Sequence, residues 1–144
     1  MFSILCFLEG ILFVMLALIH FNWVIGNSWG FAAALPTKEN GDRVLNPTKM
    51  DSAIVGFGLI LFASFYFIKS SVIPVAMPAV LLMYGGWVIC LIFLLRAIGD
   101  FRYIGFFKKV KGTVFARMDT RYYSPLCLGM SIVAITLEVL ELNP

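Results

Sequence analysis

Charged residues are scarce in this chain of 144 residues, making up 13% of the sequence where a typical soluble domain has about 25%. Hydrophobic residues make up 61%, and the mean hydropathy is +0.95. A soluble fold of this length could not bury so much apolar surface, so we expect lipid to cover part of it. The length predicts one transmembrane domain over residues 1–144, with no separate soluble domain.

The sequence lacks the residues that several kinds of functional site require. The single histidine, His20, excludes a histidine-rich metal centre or a bis-histidine haem site within one chain. The three cysteines form no Cys-x-x-Cys pair, which argues against disulfide exchange. Nucleophile elbows, phosphate-binding loops, zinc helices and dinucleotide fingerprints are also missing. We therefore expect no metal and no cofactor, and the sequence leaves catalysis open while favouring a protein that is not an enzyme.

Four long apolar blocks dominate the rest of the chain. A helix rises ~1.5 Å per residue, so roughly 20 apolar residues cross a hydrocarbon core of ~30 Å. The blocks cover residues 2–25, 52–68, 74–95 and 122–142. They predict an all-α fold, namely an integral membrane four-helix bundle. Asp51 or Ser52 is expected to cap the second helix.

Basic residues are distributed unevenly between the connections. Ten of the eleven Lys and Arg residues lie in connections 26–51 and 96–121, and the eleventh, Lys69, lies between spans two and three. The positive-inside rule therefore predicts that these two connections are cytoplasmic and that both termini lie outside.

The third connection combines these basic residues with apolar ones. Phe107, Val110, Val114 and Met118 recur at helical spacing, which predicts an interfacial amphipathic segment between helices three and four. Anionic lipid headgroups are the expected partners of the basic residues between them, and nucleic acid is not. The residues assigned to headgroup contact are Lys108, Lys109, Lys111 and Arg117.

One acid and one histidine lie within the first block. Glu9 and His20 are eleven residues apart, which places them on one helix face but ~16 Å apart along it. Charges in hydrocarbon are costly, so this face should point into the bundle. Glu9 and Glu138 have similar predicted depth and could share a proton or bind a cation. Because Glu138 lies near the end of its span, we expect it to be exposed to water instead. His20, near Trp23, could handle a proton or a ligand, or it could bond to the backbone.

Charged residues of the third connection could also bind one another. Arg96 and Asp100 are four residues apart and would pair on a continuing helix, while Asp119 lies between two arginines. Such pairs would brace the connection as a compact plate. The alternative is an anion site built from Arg96, Arg102 and Arg121, because guanidinium groups suit phosphate and carboxylate.

One string in this connection carries a family resemblance. RAIGDFRYIGFFK, which begins at Arg96, is accompanied by His20-x-x-Trp23 and by the later string from Phe115 to Arg121. Together they resemble a family of small bacterial inner-membrane proteins of unknown function. The resemblance implies a four-span protein of the bacterial inner (cytoplasmic) membrane, and it implies no activity.

These observations favour a membrane protein that binds a lipid or small amphiphile within its helix bundle. The alternatives are an accessory subunit of a larger membrane complex, a small proton- or ion-coupled transporter, which would form a homodimer, and a lipid-modifying enzyme. The candidate ligand-binding residues are Glu9, His20, Trp23, Arg96, Asp100, Arg102 and Arg121.

Overall fold

The computed structural model describes residues 1–142, and within that range the chain forms helices and no strands. Four of the helices are long and apolar enough to cross a membrane, so the predicted fold class is confirmed. Two short helices lie in the connections. The elements are α1 (Phe2–Val24), α2 (Phe31–Ala34), α3 (Lys49–Lys69), α4 (Ala79–Ile98), α5 (Val114–Met118) and α6 (Ser124–Leu142).

The long helices carry apolar side chains on every side. Large hydrophobic residues such as Met15, Leu61 and Met83 are more than half exposed. A helix that is apolar on every side is not found at the surface of a water-soluble protein. It is typical of a membrane span. Lipid is therefore the solvent that the outer surface of this bundle requires.

The bundle is made of two closely packed helix pairs, α1 with α3 and α4 with α6. Glycines permit the close approach within and between the pairs. A Cβ atom on Gly10 would lie 2.7 Å from the ring of Phe67, and one on Gly85 would lie 2.6 Å from the ring of Phe65. Small residues at such contacts are how helices pack tightly in lipid.

Two helix starts differ from the sequence prediction. The N-cap of α3 is Thr48, so the expectation of Asp51 or Ser52 was wrong. Thr48 and Asp51 form a reciprocal capping box, in which the Asp51 carboxylate accepts the Thr48 N–H at 2.7 Å. Helix α4 begins at Ala79, so residues 74–78 lie before it, because a residue that precedes proline is disfavoured in the helical region.

The connection after α4 is largely not helical. Gly99 ends α4 with a φ of 87°, and turns and bends continue to Thr113, whose side chain caps α5. The helix predicted from the spacing of Phe107, Val110, Val114 and Met118 was therefore wrong for the residues up to Gly112, which are not helical. Phe107 is nonetheless 63% exposed, and the position of this segment at a membrane interface stays a prediction.

The first and third connections meet at one end of the bundle, where they form a structure that we call the cap (residues 25–48 and 99–123). Helix α2 packs against α5, and the Tyr123 hydroxyl donates to the Ala33 carbonyl at 3.5 Å. Thr37 and Arg43 form an antiparallel bridge within the first connection. The cap closes the end of the bundle at which α1 and α4 finish.

Candidate ligand cavity

A cavity of about 420 Å³ lies between the two helix pairs and is lined by all four long helices. Most of its wall is apolar, with Leu59 and Phe93 among the lining residues. Its polar side chains lie at the cap end, with His20 and Arg96 near the ends of α1 and α4 and Tyr123 as the last residue of the cap. The cavity therefore has an apolar body and a polar end.

A second cavity, of about 360 Å³, lies on the cap side of the first. The two share His20, Val55 and Arg96, so these residues lie where the cavities adjoin. Trp23 lines the second cavity. Three of the predicted ligand-binding residues, namely His20, Trp23 and Arg96, are thus brought together by the fold.

The His20 ring is held in one orientation. Its Nδ1 lies 2.8 Å from the Leu16 carbonyl oxygen, and since a carbonyl only accepts, Nδ1 carries the proton in the neutral ring. The ring also packs edge-on against Trp23, with centroids 4.9 Å apart. The expected backbone bond of His20 is therefore present, and it leaves Nε2 as the acceptor nitrogen.

Of the two terminal nitrogens of Arg96, one has a hydrogen-bond partner in the described part of the chain and the other has none. Its Nη2 donates to Oδ1 of Asp119 at 2.8 Å. Its Nη1 is buried and has no hydrogen-bond partner within residues 1–142. An unpaired buried donor costs ~1–3 kcal/mol, more when it is charged, so this nitrogen needs an explanation.

Asp119 is the centre of an ionic group that includes Arg96, a residue lining the cavity. It is fully buried, at the start of a π-helical turn (Asp119–Tyr123) that joins α5 to α6. Besides Arg96, its carboxylate accepts the Gly105 N–H at 2.9 Å, Lys108 Nζ at 2.9 Å and the Ser124 hydroxyl at 3.0 Å. Single π-helical turns inside helices occur frequently at functional sites.

A match to a known protein family covers the part of the chain that forms the cavity and the Asp119 group. A family model described as "Protein of unknown function (DUF3995)" matches residues 13–134. The chain belongs to this family. No curated protein and no solved structure matches the chain. Membership of DUF3995 supplies no activity, so function has to be argued from the site itself.

The expected pairing of Arg96 with Asp100 was wrong. Gly99 turns the chain away from the helix, and Oδ1 of Asp100 instead accepts three backbone N–H groups, at 2.7–2.9 Å, from Arg102, Tyr103 and Ile104. Burial raises the pKa of Asp100, but these backbone N–H donors outweigh it and hold the pKa below its ordinary value. Asp100 therefore organises the backbone of the cap.

Lys108 was also placed wrongly by the sequence. We expected it at the lipid headgroups, but its side chain is 1% exposed and paired with Asp119. A lysine at this depth is tolerated because the Asp119 carboxylate and the Gly105 carbonyl, at 2.9 Å and 2.8 Å, accept hydrogen bonds from its ammonium group. The bracing predicted for this connection is thus present, but its pairs differ from the predicted ones, because Asp119 binds Arg96 and Lys108 rather than the neighbouring Arg117 and Arg121.

The other two predicted arginines have separate partners. The Arg102 guanidinium lies over the Tyr103 ring at 5.2 Å, and that of Arg121 lies over Tyr122 at 5.4 Å. Both arginines are exposed, and neither is among the residues lining the two cavities. Arg96 is therefore the arginine that the fold brings to the cavity.

A second ionic group lies at the opposite end of the bundle and was not predicted from the sequence. Lys69 Nζ bonds to the Glu138 carboxylate and lies 2.7 Å from Glu141 Oε2. Glu138 is 3% exposed, so the expectation that water surrounds it was wrong. No sequence signal predicts this pair, because 69 residues separate its members.

Glu9 is buried as predicted, at 1% exposure, but it is not among the residues lining the 420 Å³ cavity. The Phe13 ring packs against Phe62 and Phe93, which line the cavity. Aromatic rings thus lie between the Glu9 level of the bundle and the cavity. In residues 1–142, no three His, Cys, Asp or Glu side chains gather as a metal site would require.

Proposed function

We propose that this protein binds an anionic amphiphile within its helix bundle, with a hydrocarbon chain in the apolar cavity and an anionic head at Arg96. The observation that carries this proposal is the buried, unpartnered Nη1 of Arg96 at the polar end of an apolar cavity. An oxygen anion placed there would accept the bond that this nitrogen lacks.

Charge at the site favours an anion. Arg96 and Lys108 share one carboxylate, that of Asp119, so two positive charges meet one negative charge and an excess of one positive charge remains. Asp119 and Lys108 are buried, whereas the Arg96 side chain is 32% exposed, so water screens that excess only in part. A carboxylate or a phosphate ester would neutralise it.

The size and lining of the cavity favour a hydrocarbon chain. Its volume of about 420 Å³ falls within the ~300–1,000 Å³ usual for small-molecule sites, which are mostly apolar with a few placed polar groups. Nε2 of His20 and the indole of Trp23 provide further polar and aromatic contacts near the head.

The membrane setting proposed for this activity follows from the basic residues. Lys109, Lys111 and Arg117 are exposed on the cap, where they would meet anionic headgroups at a gain of about 1 kcal/mol each. We propose that the cap faces the cytoplasm and that both chain ends lie on the other side of a bacterial inner membrane. Site-specific thiol labelling of a cysteine introduced at Lys111 tests this orientation.

Binding of oleate to the detergent-purified protein tests the proposal, with oleyl alcohol as the matched uncharged probe. Oleate should bind more tightly than the alcohol. Arg96→Gln should weaken oleate binding about tenfold to a hundredfold, since hydrogen bonds to charged groups contribute ~1.5–3 kcal/mol. Arg121→Gln is the matched control and should bind oleate normally.

Filling the cavity provides a second test. A Cβ atom on Gly58 meets nothing within 4 Å, and Gly58 lines the cavity, so Gly58→Leu should fold and block the hydrocarbon chain. Gly129 has equal space around it but is not among the lining residues, so Gly129→Leu is the control. Unchanged oleate binding by Gly58→Leu would refute the cavity as the site. A stoichiometric protein partner and no lipid in native mass spectra would favour the accessory-subunit alternative.

A further inference from the structure

Glu9 is a buried acid without a partner. Its side chain is 1% exposed, and its Oε1 has no hydrogen-bond partner in the described part of the chain. The nearest turns of α1 present Cys6, Phe13 and Ala17 on the same buried face. Nothing in the proposed amphiphile site uses this residue.

No cation neutralises Glu9 within residues 1–142. Lys69, the basic residue at this end of the bundle, is bonded to Glu138 and Glu141 instead. An ionised carboxylate buried without a partner costs several kcal/mol, whereas a protonated carboxyl group avoids most of that cost. The surroundings of Glu9 therefore favour the neutral acid.

Tyr66 is a second buried residue whose polar atom lacks a hydrogen-bond partner in the described part of the chain. It is fully buried, and its hydroxyl has no hydrogen-bond partner in the same range. It lies one helical turn from Lys69, the partner of Glu138, and it contacts Phe13, which is one turn from Glu9. Its ring stacks on Phe13 at 5.8 Å between centroids, which fixes its position in the core. A phenol can both donate and accept, so Tyr66 is suited to pass a proton between the two carboxyl groups.

The group around Lys69 connects this level to the surface. Glu138 is buried, whereas the Glu141 side chain is 43% exposed. Two carboxylates share one ammonium group, so an excess of one negative charge remains, which attracts protons. The titratable side chains near Cys6 and Tyr66, which pack at the same end of the core as Glu9, are Lys69 on α3, Cys90 on α4, and Glu138 and Glu141 on α6.

We propose that Glu9 is a proton-binding site, neutral in the resting protein, which exchanges its proton with the end of the bundle where Glu141 is exposed. The Tyr66 hydroxyl has no partner at rest within residues 1–142, so each exchange requires a side-chain movement that brings it into contact with the two carboxyl groups. Tyr66 then accepts one proton from one carboxyl group and gives its own hydroxyl proton to the other, so the phenol stays neutral and one proton moves. The rings of Phe13, Phe62 and Phe93 separate this site from the amphiphile cavity, so the two proposals are independent.

Dicyclohexylcarbodiimide tests the protonation state, because this apolar reagent reacts with protonated carboxyl groups in membranes. The carboxyl oxygen adds to the central carbon, the acid proton goes to nitrogen, and rearrangement gives a stable N-acylurea with no leaving group. We expect one adduct on the native protein, mapped to Glu9, which Glu9→Gln removes and Glu39→Gln leaves unchanged. Labelling should fall as the pH rises. An unlabelled Glu9 in a native protein whose unfolded form is labelled overturns the proposal, and so does labelling that does not change with pH.

Infrared spectroscopy tests the route. The carbonyl band of the neutral acid, assigned by its loss in Glu9→Gln, shifts when the protein enters heavy water. Tyr66→Phe should slow that shift about tenfold or more, equivalent to ~1.4 kcal/mol in the barrier, while Tyr84→Phe, on an exposed face of α4, should not. Equal rates in wild type and Tyr66→Phe overturn the route. Oleate binding by Glu9→Gln should stay normal, so failure here leaves the amphiphile proposal standing.

Discussion

Neutralising Asp119 should destabilise this protein more than any other single change of charge in the cap. Its buried carboxylate accepts hydrogen bonds from Arg96, Gly105, Lys108 and Ser124 at 2.8–3.0 Å. Asp119→Asn keeps the shape but leaves two cations without a counter-charge. Breaking a buried pair in this way costs ~3–5 kcal/mol, and we expect a loss in that range.

A double-mutant cycle tests the reason for that loss. The Lys108 side chain is 1% exposed, so after Asp119→Asn its charge is buried and unpaired. Adding Lys108→Met removes the stranded charge, and the double variant should be more stable than the sum of the single changes predicts, by about 1–3 kcal/mol. Additive effects would show that the charges do not act on each other as the geometry implies.

The assay uses thiols that the chain already has. Cys6 and Cys90 are 0% and 5% exposed, so they react with a thiol reagent only after unfolding, and mass spectrometry reports each one across a titration with sodium dodecyl sulfate. Asp42→Asn is the matched control, because Asp42 is exposed and should change stability by less than ~0.5 kcal/mol. A loss below ~1 kcal/mol for Asp119→Asn would refute the reasoning.

Three further predictions use the same assay. Gly86→Ala should destabilise the bundle, because the added methyl group would overlap the Glu138 carboxyl group, whereas Gly129→Ala has open space and should not. Thr48→Ala should cost about 0.5–2 kcal/mol by removing the capping box of α3. The pKa of Asp100 is lower in the folded state, so the ionised carboxylate stabilises the fold above its unfolded pKa, and this stabilisation is lost as the pH falls through the folded pKa. Asp100→Ala should lack this acid-dependent loss of stability. A pH profile of stability in that variant equal to that of the wild type would contradict the role assigned to Asp100.

The burial of Glu9 followed from the sequence because the cost of a charge in hydrocarbon does not depend on the details of packing. The meeting of the two basic connections followed from counting four spans. Cavity residues were partly predictable for the same reason, since His20 and Arg96 are polar groups near the ends of apolar blocks, where any antiparallel bundle brings them to one depth.

Partner choice among the charges was not predictable. Sequence spacing favoured Asp100 for Arg96, and the actual partner, Asp119, lies 23 residues away. The local rule assumes that the helix continues, and Gly99 ends it with a positive φ. Similarly, Lys108 looked like one more surface lysine, and only the turn at Gly105 carries it inward to the same carboxylate.

The sequence by itself determined that four helices are long and apolar enough to cross a membrane and that ionisable groups are scarce within them, because hydrophobic and desolvation energies depend on composition along the chain. The tertiary structure alone decided which charges pair, where a cavity opens and which polar atoms stay unpaired. Those outcomes depend on distances of a few ångströms between residues far apart in sequence, and one glycine turn or one close glycine contact is enough to change them.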